Sequence, residues 1–182
     1  MNKKNLETEL KFQLTIPTGQ FLKKINQLGM EIQPRGQEMT AMYDNQEQFM
    51  LISDGRLRIR TGYKSYFSYK RPLTRNGIKV EIEYESEIDS PQQLELILKE
   101  IGYEKVTSYT RFRTIWQMKK VKVYLDEFSF GNYVEIEGKK REILKIAEEL
   151  EFDINKNITQ SYDGIYKEIC KKRGLIPSPH IK

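Results

Sequence analysis

Charged and apolar residues alternate along the segment that follows residue 5. Glu7, Glu9 and Lys11 stand at every second position, and Leu10 and Phe12 occupy positions between them. Successive side chains of a β-strand point to opposite faces, so this spacing predicts one charged face and one apolar face. A single strand of this kind is typical of a sheet with one solvated side.

The same alternation recurs in segments spread over most of the chain. The further alternating sets are Arg58 and Arg60; Lys79, Glu81, Glu83, Glu85 and Glu87; Arg111 and Arg113; and Glu135 and Glu137. A weak internal repeat is also present, because a Glu-x-Glu strand, a helix and an Arg-x-Arg strand follow one another in both halves. Two such halves can close into one barrel with charged faces inward and apolar faces outward beneath amphipathic helices.

Periodicity and turn residues predict eight strands and four helices. The strands are 5–14, 39–44, 56–62, 65–72, 78–87, 107–118, 120–128 and 132–138, and the helices are 18–28, 90–101, 140–151 and 161–173. Ser90 followed by Pro91 is a helix start signal, and Gly29, Gly102 and Gly174 follow three predicted helix ends.

Length and composition fit one domain. The chain has 182 residues, one cysteine (Cys170) and one histidine (His180). We expect a single domain over residues 1–173 and a flexible tail over 174–182. No stretch approaches the ~20 apolar residues of a membrane span, and no apolar signal core is seen, so we expect a soluble cytoplasmic protein without membrane contact. One cysteine excludes an internal disulfide, and one histidine in the tail argues against histidine-based chemistry within the fold.

The charge balance bears on the kind of ligand. The net charge is only +5 although 31% of the residues are charged, which argues against nucleic-acid binding through a simple basic patch. Lining a barrel with charges is costly unless they are paired, hydrated or bound to a ligand. The four like charges from Glu81 to Glu87 therefore indicate a ligand, such as a triphosphate held by arginines together with Mg²⁺ or Mn²⁺ held by carboxylates.

An ordered set of motifs extends this interpretation. It comprises Glu7-x-Glu9-x-Lys11 and the segments 57–60, 69–72, 79–83, 111–113, 125–127, 131–137 and 161–162. Together they resemble the CYTH superfamily, the triphosphate tunnel metalloenzymes, over about residues 5–170. That superfamily includes class IV adenylyl cyclases, thiamine triphosphatases, inorganic triphosphatases and fungal RNA triphosphatases. The resemblance implies an α+β fold in which an eight-stranded antiparallel closed β-barrel forms a tunnel, with helices packed outside.

The resemblance also implies roles for individual residues. The implied ligands of a divalent metal are Glu7, Glu9, Glu135 and Glu137, with Asp126 as a further ligand or a water-orienting group. The implied phosphate-binding residues are Lys11, Arg58, Arg60, Lys70, Lys79, Arg111 and Arg113. The expected catalytic residues are Lys11, Asp126 and Arg113. Glu81 and Glu83 would order these bases or contact a second metal.

Some positions depart from the family pattern or carry no clear role. Many relatives have Arg where Lys79 stands, Lys where Arg111 stands, and an aromatic residue where Met42 stands. The first two changes keep the charge and alter its geometry, so they bear on substrate preference more than on activity. We interpret Arg56 as a turn residue, and Tyr162 as either a substrate contact or a buried aromatic.

The expected function is that of a metal-dependent enzyme acting on a triphosphate: inorganic triphosphate, ATP or thiamine triphosphate. Hydrolysis by water and cyclisation of ATP to cyclic AMP and pyrophosphate would share the phosphate site and differ in the nucleophile. Hydrolysis is favoured because no adenine-reading residues can be identified. A module that binds polyphosphate or a nucleotide without catalysis is a third alternative. The sequence is compatible with a monomer or a homodimer.

Overall fold

Most of the barrel strands pair with the strand that precedes or follows them in the chain. The computed structural model describes residues 5–74 and 77–181. Its strands are β1 (Leu6–Gln13), β2 (Glu31–Ile32), β3 (Gly36–Asn45), β4 (Arg56–Thr61), β5 (Tyr66–Thr74), β6 (Lys79–Glu87), β7 (Tyr103–Met118), β8 (Val121–Phe128), β9 (Gly131–Glu137) and β10 (His180–Ile181). The helices are α1 (Thr18–Gln27), α2 (Phe49–Ile52), α3 (Pro91–Glu100), α4 (Lys140–Glu149) and α5 (Tyr162–Lys172).

Eight of the strands form a closed ring. Their order is β7-β3-β4-β5-β6-β1-β9-β8, and pairing of β8 with β7 completes the circle. Every neighbouring pair in this ring is antiparallel. The α+β fold with an eight-stranded antiparallel closed β-barrel and outer helices is therefore confirmed. Closure leaves the ring without exposed edges, so the charged inner faces are enclosed on all sides.

The apolar faces of the strands pack outward, as the alternation predicts. Leu10 and Phe12 of β1 belong to a core that also contains Phe21 of α1 and Ile143 of α4. Phe21 and Ile25 are the buried residues of α1, four positions apart and therefore on one helix face. The main hydrophobic core thus lies between the barrel wall and the helices, which leaves the barrel interior to polar side chains.

Two other helices cover different parts of the barrel. Helix α3 begins where Ser90 accepts a hydrogen bond from the backbone N–H of Gln93 at 3.4 Å, with Pro91 as the first helical residue. Leu98 of α3 packs on the outer face of β3 and β4. Helix α5 instead packs through Tyr162 against inward rows of the barrel strands and covers one end of the barrel.

Several elements lie outside the predicted set. The short elements α2, β2 and β10 were not predicted, and β3 and β7 begin earlier than expected, at Gly36 and Tyr103. The early part of β7 follows a register shift between Met42 and Tyr43 of β3, which interrupts the simple alternation on which the prediction rests. None of the described helices has the length and apolar character that crossing a membrane requires.

Residues 179–181 pack on the barrel, whereas the sequence predicts a flexible tail over residues 174–182. His180–Ile181 pairs in parallel with β7 at Ser108 and Tyr109. The carbonyl oxygen of Pro179 accepts hydrogen bonds from the Ser108 backbone N–H and from the Thr107 hydroxyl, both at 2.8 Å. Two residues are too few to show a strand pattern in sequence. The domain bounds of 1–173 stay a prediction.

Candidate functional site

Inner-face side chains enclose a cavity of about 420 Å³. This volume is within the range of roughly 300–1,000 Å³ that is usual for small-molecule sites. The predicted site residues that line it are Glu7, Glu9, Lys11, Arg58, Arg60, Lys70, Lys79, Glu81, Glu83, Arg111, Arg113, Glu135 and Glu137. Asp126, the remaining predicted residue, is fully buried and contacts two of these arginines. The structure therefore brings all the predicted residues to one place.

Carboxylates of two adjacent strands form one side of the cavity. We call Glu7 and Glu9 of β1 and Glu81 and Glu83 of β6 the acidic wall. Strand pairing places Glu7 opposite Glu81. One carboxylate oxygen from each of Glu7, Glu9 and Glu81 lies within 4.8 Å of the others, an arrangement of three or more potential metal ligands found once among the described residues. Oxygen ligands grouped in this way suit a hard divalent cation.

Glu7 and Glu81 differ in how far nearby cations offset the burial of their negative charge. Burial raises the pKa of Glu7, Lys70 lowers it, and the like charges of Glu9 and Glu83 raise it again, giving a pKa of about 7. Burial also raises the pKa of Glu81, but Arg56 and Lys79 outweigh burial and lower it to about 2. Lys70 therefore does not offset burial and the neighbouring carboxylates at Glu7, whereas two cations outweigh burial at Glu81.

Two lysines bridge pairs of carboxylates within the acidic wall. Lys70 Nζ contacts Glu7 and lies 3.0 Å from Glu83. Lys79 Nζ lies 2.9 Å from Glu9 and 2.8 Å from Glu81. Both lysines are more than nine-tenths buried. Burial disfavours the charged form of Lys70, but Glu7 and Glu83 outweigh burial and raise the pKa of this amine.

Arg56 is a site residue that the sequence interpretation missed. It is the first residue of β4 and donates from Nη2 to Glu81, so its interpretation as a turn residue is wrong. Arg56, Arg58 and Arg60 stand at alternate positions and all line the cavity. Extending the Arg-x-Arg alternation by one step toward the N-terminus would have found it, but the neighbouring Asp54-Gly55 turn signal hid it.

A second side of the cavity is built from arginines that are already paired. We call Arg111 and Arg113 of β7, with Asp126 of β8, the arginine wall. Arg113 donates from Nε and Nη2 to the two oxygens of Asp126, and Arg111 donates from Nη1 to Asp126 Oδ2 at 3.2 Å. Arg113 also donates to Glu135 at 2.7 Å. Bidentate pairing with a carboxylate fixes the orientation of a guanidinium group.

Tyr162 of α5 connects the arginine wall to Lys11. Its hydroxyl donates to Asp126 Oδ2 at 2.6 Å, and Lys11 Nζ lies 4.2 Å from the centre of its ring. Lys11 Nζ also donates to the backbone oxygen of Gln160 at 2.9 Å and lies 3.2 Å from Glu135. Tyr162 is thus a buried aromatic that contacts site residues, which was one of the two interpretations from sequence.

The remaining predicted bases lie on β4. Arg58 donates from Nε to the Ser68 hydroxyl at 2.8 Å and from Nη2 to Glu83 at 3.2 Å. Arg60 pairs with Glu85 at 3.1 Å, and its guanidinium carbon lies 4.8 Å from the centre of the Tyr66 ring. Every one of the predicted phosphate-binding side chains is therefore paired with at least one carboxylate.

Two further contacts were not predicted from the sequence. Glu38 of β3 accepts from Arg111 Nη2 at 2.8 Å, and the Tyr124 hydroxyl donates to Glu137 at 2.6 Å. Glu38 shares β3 with Asp44, but no charged residue stands at the alternate positions between them, so no alternation marks Glu38. Tyr124 alternates with Lys122 and Asp126 in β8, and that period of two places it on the inward face.

The carboxylate group of the structure differs from the implied metal ligands. Glu7 and Glu9 belong to both sets, but the third member here is Glu81. Glu135 is held by Lys11 and Arg113, and Glu137 is held by Tyr124. The chemistry of the donor set fits a divalent cation in either description, because all the ligands are carboxylate oxygens.

A closed antiparallel barrel whose interior is lined by buried acid–base pairs defines a charged tunnel protein. A family model described as "CYTH domain" matches residues 5–162. The chain belongs to the CYTH domain family.

Relatives carry two kinds of activity in their descriptions. A Methanocaldococcus jannaschii protein named "Putative adenylate cyclase MJ0240" is 23% identical over 176 residues, which is 93% of this chain and 99% of the relative. A Vibrio parahaemolyticus structure with the same activity name has a TM-score of 0.80 and 18% identity, covering 88% of this chain and 97% of that one. The structure of HpAC1 from Hippeastrum, described as revealing a dominant triphosphatase activity, has a TM-score of 0.61 and 16% identity over 97% of this chain and all of that one. These likenesses establish the fold.

Proposed function

We propose that the protein is a divalent-metal-dependent enzyme that hydrolyses the terminal phosphoanhydride of a triphosphate inside its barrel. The observation that carries this proposal is the convergence of seven predicted phosphate-binding side chains on one cavity that also holds a group of carboxylates. Arginine and lysine side chains suit phosphate oxygens, and clustered carboxylates suit the cation that accompanies them.

The arginine wall supplies the fixed part of the phosphate site. Asp126, Glu135 and Tyr162 hold Arg111 and Arg113 in place before a ligand arrives, so little reorganisation is needed when charge develops on phosphate oxygens. In hydrolysis, the oxygen of water forms a bond to the terminal phosphorus and the bond from that phosphorus to the bridging oxygen breaks. Inorganic triphosphate would then yield orthophosphate and diphosphate.

The acidic wall supplies the metal ligands. Glu7, Glu9 and Glu81 fit a divalent cation by donor type and mutual distance, and burial together with the charges of Glu9 and Glu83 outweighs Lys70 and raises the pKa of Glu7. A bound Mg²⁺ or Mn²⁺ would neutralise phosphate charge and orient the reacting group. The implied set with Glu135 and Glu137 remains the competing assignment. Asp126 has both oxygens engaged by Arg113, which favours a positioning role over metal binding.

Conversion of ATP to cyclic AMP and pyrophosphate is the second candidate. The names of the Methanocaldococcus and Vibrio relatives favour it, and the description of the Hippeastrum protein favours hydrolysis. The two reactions share every phosphate contact described above. They differ in whether water or the ribose 3′-hydroxyl attacks, and in which phosphorus is attacked.

Product identification distinguishes the candidates. The protein is incubated with inorganic triphosphate, ATP or thiamine triphosphate in the presence of Mg²⁺ or Mn²⁺, and products are separated by anion-exchange chromatography. Hydrolysis predicts orthophosphate from inorganic triphosphate with kcat/KM at least comparable to that for ATP. Stoichiometric cyclic AMP from ATP would overturn hydrolysis in favour of cyclisation. If none of the three substrates is turned over, the result would support a module that binds polyphosphate or a nucleotide without catalysis.

The metal assignment is tested with two matched variants. Glu81→Gln and Glu135→Gln each remove one carboxylate from the same cavity. If Glu7, Glu9 and Glu81 bind the metal, Glu81→Gln raises the Mn²⁺ concentration needed for half-maximal turnover more than Glu135→Gln does. The reverse order would support the set implied by the family resemblance. Metal affinity from isothermal titration calorimetry gives the same comparison without relying on turnover.

A further inference from the structure

Exposed cations cluster around the turn between β7 and β8. Lys119 and Lys120 form this turn, and Lys139, Lys140 and Arg141 form the beginning of α4; all five are exposed. We call these five residues the basic rim. No ion pair links any of them to the rest of residues 5–74 and 77–181, whereas the exposed Lys145, Lys167 and Lys172 each pair with an acid four positions away.

The two parts of the basic rim adjoin each other. Lys122 of β8 pairs in register with Glu137 of β9, so the turn before β8 lies beside the segment after β9. A Cβ placed on Gly138 would lie 3.4 Å from the backbone oxygen of Lys120. The acid at this junction, Glu137, lines the cavity and accepts a hydrogen bond from Tyr124.

The basic rim lies at the open end of the tunnel. Gln117 and Lys122 are the last inward residue of β7 and the first of β8; they pair with each other and both line the cavity. The turn that connects them is part of the rim. Helix α5 packs at the opposite ends of the same strands, where Tyr109 begins the inward row of β7. A chain leaving the cavity by the open end would therefore pass the rim.

The charge of the rim is large for this molecule. Its five cations equal the net charge of +5 of the whole chain, so the rest of the chain is neutral overall. Lysines dominate the rim, and a lysine ammonium is a mobile point charge rather than a fixed fork. Such a surface suits a repeating, flexible anion more than a single phosphate group held in one orientation.

We propose that the basic rim binds the part of a linear polyphosphate chain that extends out of the tunnel beyond its first three phosphates. This inference rests on the proposed function of the cavity as a triphosphate site and extends the substrate class to longer chains. Rim cations would also attract short polyanions to the tunnel mouth, since clustered charge beside a cleft raises association rates. Retention of a long chain by several contacts should exceed this general attraction.

Two charge-matched triple variants test the proposal. The rim triple is Lys139→Gln, Lys140→Gln and Arg141→Gln, and the control triple is Lys167→Gln, Lys171→Gln and Lys172→Gln on α5. Both remove three exposed positive charges, and none of the six residues contacts the cavity. Binding of end-labelled linear polyphosphate is measured by fluorescence anisotropy, and binding of inorganic triphosphate by calorimetry, at low and high salt. Thermal unfolding verifies that both triples are folded.

The rim triple should bind long polyphosphate about tenfold more weakly than the control triple at low salt. The difference should disappear near 1 M salt, where charges are screened within about 3 Å, and the affinity for triphosphate should change by less than about twofold. Equal losses in both triples would overturn the proposal. So would tighter binding of a single-stranded RNA of equal charge that the rim triple abolishes, which would indicate a nucleic-acid surface.

These binding measurements do not depend on turnover, so they separate this inference from the proposed function. An absence of hydrolysis together with a rim-specific loss of polyphosphate binding would refute the proposed hydrolysis and support polyphosphate binding by the rim. Hydrolysis of triphosphate together with equal binding by the two triples would support the proposed hydrolysis and refute polyphosphate binding by the rim.

Discussion

The acidic wall and the arginine wall hold buried charge in opposite ways. In the arginine wall, Arg111, Arg113 and Tyr162 all donate to Asp126, so the carboxylate has several partners and is fully buried. In the acidic wall, Glu7 has Lys70 as its cation and other carboxylates around it, and its pKa is raised to about 7. In the arginine wall protein groups balance the buried charge, whereas at Glu7 burial and neighbouring carboxylates outweigh the one contacting cation.

This difference explains why two kinds of charged residue can be buried in one barrel. A preformed arginine array is suited to oxygens that arrive with fixed geometry, since its donors are already oriented. A carboxylate group with excess negative charge is suited to a cation, whose binding removes the repulsion. The following substitutions are expected to have effects that differ between the walls.

The largest effect is expected from Asp126→Asn. The change removes the charge that holds Arg111 and Arg113 and leaves two buried cations with fewer partners. Breaking a buried ion pair typically costs about 3–5 kcal/mol in the free energy of unfolding, measured by urea denaturation. Glu85→Gln is the control, because Glu85 is partly exposed and its pairs with Arg58 and Arg60 should contribute less than about 1 kcal/mol. Similar losses in both variants would contradict the description of the arginine wall.

Glu7→Gln and Glu81→Gln should change stability in opposite directions without metal. Folding raises the pKa of Glu7 from 4.5 to about 7, so ionisation of this carboxyl destabilises the folded state. The destabilisation is absent below pH 4.5 and grows as the pH rises to 7. Glu7→Gln should therefore stabilise the protein above pH 7, by at most about 3 kcal/mol.

For Glu81 the sign reverses. Its folded-state pKa of about 2 lies below 4.5, so its stabilising contribution is present above pH 4.5 and is lost as the pH falls through 2. Glu81→Gln should destabilise the protein at pH 7 by about 3 kcal/mol, because Arg56 and Lys79 lose their partner. Chemical denaturation of both variants at pH 5 and pH 8 measures the two effects, and a shared sign at pH 8 would refute the comparison.

Arg113→Ala should lower kcat/KM for triphosphate by about 10²-fold or more, close to 3 kcal/mol of transition-state stabilisation. Arg113→Lys keeps the charge and loses the fork that contacts Asp126 and Glu135. If fixed geometry is what the arginine wall contributes, lysine restores little of the loss. Full recovery with lysine would show that charge alone is sufficient. Steady-state kinetics at saturating metal provides the comparison.

The smallest effect is expected from Tyr162→Phe. This variant keeps the ring beside Lys11 and removes the hydroxyl that donates to Asp126. Hydrogen bonds to charged groups contribute about 1.5–3 kcal/mol to the free energy of unfolding. Asp126 keeps two arginine partners, so we expect Tyr162→Phe to lower the free energy of unfolding by an amount at the lower end of that range. Tyr162→Leu also removes the ring and should lower kcat more than Tyr162→Phe does. Equal effects on kcat in the two variants would show that Lys11 does not depend on the ring.

Alternation in the sequence predicted strands that each carry one charged face, and these charged faces supply most of the barrel lining. Glu7, Glu9 and Lys11 needed only the period of two to be placed on one face, and the recurrence of the pattern placed the other strands beside them. The family resemblance then selected the closed eight-stranded form. These predictions succeeded because the closed barrel satisfies all the alternating strands at once.

What the sequence could not supply are contacts that depend on register and tilt. Tyr162 contacts Asp126 only because α5 folds over one end of the barrel, and the choice of Glu81 over Glu135 beside Glu7 depends on the offset between β1, β6 and β9. No local pattern encodes such offsets.

The cover that α5 provides has a consequence for the order of events in the cavity. Tyr162 and its neighbours pack at one end, and the cavity extends from there to Lys122 at the other. A fragment formed near Lys11 would wait behind a fragment formed nearer the mouth, so release would be ordered as last in, first out. For the proposed hydrolysis, the outer fragment would therefore have to leave before the inner one.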